Sequence, residues 1–107
     1  MKINRKTLHE AIEYLQAGPP IDYDPLCPCP NEVCAALGLM EPDFDYLTHH
    51  GKILESGIAV DRMSLEDIRT MLTFFSRGER FCDGFTADIV NSGELLALLL
   101  RLDELTK

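Results

Sequence analysis

Apolar residues recur along this chain at intervals of three and four, and no segment alternates apolar with polar positions convincingly over more than four residues. That periodicity predicts helices and no sheet. The first helix spans about residues 4–17, with Leu8, Ala11, Ile12 and Leu15 on one face, a start capped by Asn4 or by Thr7-Leu-His-Glu10, and a stop at Gly18-Pro19-Pro20. Asn31 is placed to cap a short helix through Ala35, Ala36 and Leu37 that ends at Gly38. The next helix opens near Pro42, where Asp43 and Asp45 suit the positive end of the dipole; Phe44, Leu47 and Leu54 line one apolar face, with Tyr46 and Ile53 beside it. Gly51 offers a break at His50 short of Ser56, because glycine inside a helix costs about 1 kcal/mol relative to alanine.

Residues 57–63 read as a buried linker. Ser64-Leu-Glu-Asp67 resembles a capping box, and Leu65, Ile68, Met71, Leu72 and Phe75 follow at helical spacing up to Gly78, expected to leave in a left-handed turn. Phe85, Ile89 and Val90 suggest a short helix to Asn91, and Ser92-Gly93 starts the last one. On that helix Leu95, Leu96, Leu98, Leu99, Leu100 and Leu102 leave only a narrow polar strip at Glu94, Ala97, Arg101 and Glu104. So apolar a helix is either central or partly buried against another subunit. The expectation is an all-α fold, a compact bundle of about five helices with a central leucine-rich C-terminal helix.

Composition adds bounds. A chain of 107 residues with 46% hydrophobic and 26% charged residues is one ordinary folded domain, 1–107. Five of its six prolines fall between 19 and 30, so the 18–30 stretch, rich in Pro and Cys, reads as an extended loop. The longest apolar run is Leu95 to Leu100, and the polar N-terminus lacks the centre of a signal peptide; neither suits a membrane span, and the cytoplasm is the expected location. The net charge of −8 is uneven: residues 1–18 sum to +1 and residues 19–60 to −6. An acidic first half repels phosphate backbones, which argues against non-specific nucleic-acid binding.

Three groups carry candidate chemistry. The stretch R-G-E-R-F-C-D-G, residues 77–84, places Arg77, Glu79, Arg80 and Asp83 together. As a binding site, Arg77 and Arg80 would hold an anion and Glu79 or Asp83 would serve as acid or base; as a structural corner, the same charges would pair with one another while Phe81 and Cys82 fill the core. Cys27, Cys29 and Cys34, with Cys82 or a histidine as fourth ligand, form a zinc candidate, although paired C-x2-C knuckles are absent and Pro28 and Pro30 stiffen the loop. Cys82 as a nucleophile with His49 or His50 as base and Asp45 orienting it is the third; Asp45 and His49 stand four apart on one helix. No cofactor is expected.

The segment Leu72-Thr-Phe-Phe-Ser-Arg-Gly-Glu-Arg-Phe-Cys-Asp-Gly84, followed by Gly93-Glu-Leu-Leu96 and Leu99-Leu-Arg-Leu102, resembles the signature of a family of small microbial domains of unknown function. The likeness runs over about residues 43–105, more weakly through Asp45-Tyr46-Leu47, and leaves the 19–34 segment unmatched. It implies no activity whose catalytic residues could be carried over. Two functional classes follow from the residues: a protein-interaction or self-association module, using the leucine face or the acidic first half, and an anion-binding protein or enzyme with its site at the Arg77–Asp83 corner.

Overall fold

The computed structural model describes residues 3–18, 30–78 and 85–107. Among them are six α-helices and no strand: α1 (Arg5–Gln16), α2 (Asn31–Leu37), α3 (Tyr46–Ser56), α4 (Leu65–Gly78), α5 (Phe85–Asn91) and α6 (Glu94–Thr106), with one 3₁₀ turn at Val60–Arg62. The all-helical reading holds, with one helix more than expected. The 19–29 part of the proline-rich loop lies outside the described residues.

Two helices form the centre. α6 packs on α1, α4, α5 and the 3₁₀ turn, while α4 packs on α2, α3, α5 and α6. The leucines of α6 explain its place: Leu95, Leu98, Leu99 and Leu102 are fully buried against Leu8, Ile68, Leu72 and Phe75. Burying such a side chain stabilises by about 1.5–3 kcal/mol, so this one helix anchors much of the core. On its polar strip Arg101 donates through Nε to the Met63 carbonyl at 3.0 Å, and thereby fixes the linker that precedes α4.

The caps agree with the sequence in two places. Asn4 Oδ1 accepts the Thr7 N–H at 3.2 Å. The Ser64 and Asp67 box closes both ways, with Asp67 N–H donating to Ser64 Oγ and Ser64 N–H to Asp67 Oδ2.

Elsewhere the structure corrects the pattern. Asn31 is the first helical residue of α2 and not its cap; that position belongs to Pro30, whose carbonyl accepts the Val33 and Cys34 N–H groups. α3 begins at Tyr46, later than Pro42, and runs unbroken through Gly51 to a left-handed Gly57. Gly78 is still helical and its φ is not positive. Its need for glycine is steric: a Cβ there would lie 2.4 Å from two ring carbons of Phe85.

The largest difference is the orientation of α3. The apolar face read from the sequence points outward, with Phe44 88%, Leu47 69% and Leu54 66% exposed, and the helix is held to α4 by the buried Ile53.

Candidate functional site

Of the residues singled out at the 77–84 corner, only Arg77 and Gly78 are described; Glu79, Arg80, Cys82 and Asp83 lie outside the described residues. Arg77 comes from the last turn of α4 and pairs with no described acid. Its guanidinium carbon sits 5.8 Å from the centre of the Tyr46 ring, a cation–π distance. Tyr46, Leu47, Phe74, Arg77 and Gly78 line an apolar recess of about 270 Å³. Beside it the His50 ring stacks on Phe74, 3.7 Å between centres and 9° from parallel. Burial in this stack lowers the His50 pKa, so the ring is neutral at neutral pH.

The polar centre that the structure does describe lies where α3 meets α4. Asp43, only 7% exposed, is surrounded by donors. His49 Nδ1 lies 2.6 Å from Asp43 Oδ2, Thr70 Oγ donates to the same oxygen at 2.7 Å, and the Asp45 N–H donates to Asp43 Oδ1 at 2.9 Å. The Asp43 N–H in turn donates to Thr73 Oγ at 2.9 Å. Burial alone would raise the Asp43 carboxyl; the hydrogen bonds from His49, Thr70 and Asp45, with the His49 charge, instead hold its pKa at about 2, below the ordinary 3.8. Because an ionised carboxylate only accepts, His49 Nδ1 must carry the hydrogen, and Nε2 is left to face outward.

Chemically this is an oriented imidazole at a cleft. His49, Lys52, Ser56, Glu66, Asp67 and Thr70 are among the residues lining a space of about 500 Å³. Asp45, expected as the partner of His49, is the more distant carboxylate, 3.8 Å from Nε2, whereas Asp43 makes the short contact. Sequence spacing favoured Asp45 because i,i+4 pairs are visible on a helix, while the bend that brings Asp43 to His49 is not. Thr70 and Thr73 had left one trace, namely polar residues on the inward face of an otherwise apolar helix.

The same centre fixes the chain on both sides of Phe44. Arg69 donates to the Glu41 and Pro42 carbonyls at 3.0 and 3.1 Å, and Tyr46 N–H to the Asp43 carbonyl at 3.2 Å. Glu41, Pro42 and Asp43 are thus tied to α4 while Phe44 projects into solvent. Along α3 itself Leu47, Gly51 and Leu54 follow at spacings of four and three, the apolar positions of a heptad seam, with Phe44 three residues ahead of them in the preceding turn.

Cys34, on α2, is exposed, and Cys27 and Cys29 lie outside the described residues together with Cys82, so neither the zinc arrangement nor the thiol nucleophile has its partners in view. Among the described residues no three His, Cys, Asp or Glu side chains converge as a metal ion requires, and no described helix is long and apolar enough to cross a membrane.

A sequence model for DUF6508, a family of unknown function, matches residues 8–107. The chain belongs to the DUF6508 family. The match runs through the 19–34 segment that the earlier resemblance, limited to residues 43–105, left aside; that segment lies within the family's span. No curated protein and no solved structure matches the chain.

Proposed function

We propose that this DUF6508 chain is a protein-interaction module whose contact surface is the outer face of α3. The observation that carries this reading is the exposure of Leu47 and Leu54 on α3, and of Phe44 in the turn just before it, while the helix is already joined to the core through Ile53. Three large apolar side chains exposed within eleven residues are what an interface core needs, and a monomer gains nothing from showing them to water. The buried leucines of α6 support the choice of face, since they are consumed within the chain's own core. The exposed acids Asp45 and Glu55, one toward each end of the helix, give the seam a polar rim. The cytoplasm is the compartment we assign to it.

Photo-crosslinking tests this directly. A photoreactive phenylalanine analogue replacing Leu47, expressed in cells, should give a discrete protein adduct, while the same analogue replacing Glu13 on α1 should not. Adducts at neither position, or equally at both, would remove the reading.

A second reading, binding of a small anionic ligand or catalysis at the Arg77–Asp83 corner, is supported by Arg77, a cation beside an apolar recess with no described acid as partner. Titration with inorganic phosphate tests it: heat that disappears in Arg77→Gln supports the corner, and no heat from the intact protein ends it.

A further inference from the structure

We infer that the occupant of the α3 face is a second copy of the same chain, paired antiparallel with α3 across a two-fold axis midway between Leu47 and Gly51. This rests on the interaction reading above and names the partner for it. In antiparallel pairing the two kinds of seam position face each other, so Leu47 meets Gly51 of the second copy, and Leu54 comes to the end of the second helix that Phe44 precedes. The Leu47–Gly51 layer occurs twice, once on each side of the axis, and both exposed leucines of the helix lie on the seam.

The sizes are complementary as well as the spacing. A Cβ built on Gly51 meets nothing within 4 Å, so the notch above this glycine is open, and Leu47 is a large side chain 69% exposed one turn away. A leucine seated over a glycine lets the two helices approach closely without leaving a void. Such mutual fit of one patch with itself is what a two-fold interface requires.

Charge does not oppose the contact at its centre. Two chains each carrying −8 repel at a distance, but the residues flanking the middle of the seam are Thr48 and His50, which would meet their own copies. Threonine carries no charge, and His50 stacks on Phe74 as a neutral ring. The nearest acids, Asp45 and Glu55, lie toward the two ends. With only two full layers the pair is expected to be weak and readily reversible.

The fit makes a size-exchange experiment decisive. Sedimentation equilibrium of the intact protein from micromolar to millimolar concentration should show the mass rising from 12.0 kDa toward twice that value. Leu47→Ala and Gly51→Leu should each weaken the dimer by about tenfold or more, one by emptying the layer and the other by overfilling it. The double variant L47A/G51L, which restores a small residue opposite a large one, should recover dimerisation toward that of the unaltered protein. Both sites face solvent in the single chain, so circular dichroism should show the fold retained in all three.

A dimer whose strength ignores these exchanges would overturn the inference. So would a monomer at every concentration, and the Leu47 photo-adduct then separates two failures: a different protein in the adduct excludes only the second copy, whereas no adduct at all removes the interaction reading too.

Discussion

Gly51 links the stability of the single chain to the proposed association, and Gly51→Ala moves the two in opposite directions. In the isolated chain the position is an ordinary helix interior between Tyr46 and Ser56, with no positive φ, and a methyl group there meets no atom within 4 Å. The change therefore carries only the helix propensity difference, about 1 kcal/mol in favour of alanine. For a domain near this size that corresponds to a rise in Tm of about 4–5 °C. Urea unfolding followed by far-ultraviolet circular dichroism, at a concentration low enough for the single chain to dominate, should show the midpoint raised with the slope unchanged. At high concentration the same methyl group occupies part of the notch that Leu47 of a second copy would fill, so the dimer should weaken although the fold is stronger. No gain in the urea midpoint would show that glycine is required by the chain's own packing, contrary to the open space above it. A dimer strengthened in step with the fold would remove the notch from the interface.

Other expectations follow from the Asp43 centre and from Gly78. The Asp43 carboxyl titrates at about 2 when folded against 3.8 ordinarily, so its contribution is fully present above pH 3.8 and is lost as pH falls toward 2. Screening on the open side of His49 keeps that contribution to about 1–2 kcal/mol, visible as a falling urea midpoint between pH 4 and 2. Asp43→Asn should lower stability at pH 7 by about 2–3 kcal/mol, because an amide turns a donor toward His49 and Thr70 or toward the Asp45 N–H, and should flatten that acid limb; an unaltered limb would assign it to other carboxyls. Gly78→Ala places a methyl group 2.4 Å from the Phe85 ring and should cost about 1–3 kcal/mol, less the propensity gain. In a double-mutant cycle Phe85→Ala should relieve most of that cost, and additive effects would contradict the steric account.

The parts of the fold legible in the sequence are those whose causes lie within a few residues. Asn4 and the Ser64–Asp67 box are local hydrogen bonds, and the leucines of α6 cover so much of their helix that no rotation of it could leave them all in water. At Gly78 the residue type was informative, but its reason was not local. The sequence suggested a left-handed exit, whereas the glycine makes room for a ring seven positions later.

α3 shows why the candidate site was harder to read. The segment of α3 and the turn before it carries two apolar sets, Phe44 with Leu47 and Leu54, and Tyr46 with Ile53, and period alone cannot say which one turns inward. Polar contacts across long stretches of chain favour the second set. Asp43 joins Thr70 and Thr73, 27 and 30 residues away, and Arg69 holds the Glu41 and Pro42 carbonyls 28 and 27 residues away. A buried carboxylate satisfied by three specific partners has one acceptable position, since moving it would leave charge and donors unpaired. Fixing Asp43 against α4 fixes the entry of α3, and the entry fixes its rotation. Phe44, the immediate neighbour of the most buried acid in the loop, is thereby directed outward. The residue that read as a helix-end acid is thus what presents the apolar seam, and loosening it should blur the seam before it unfolds the core.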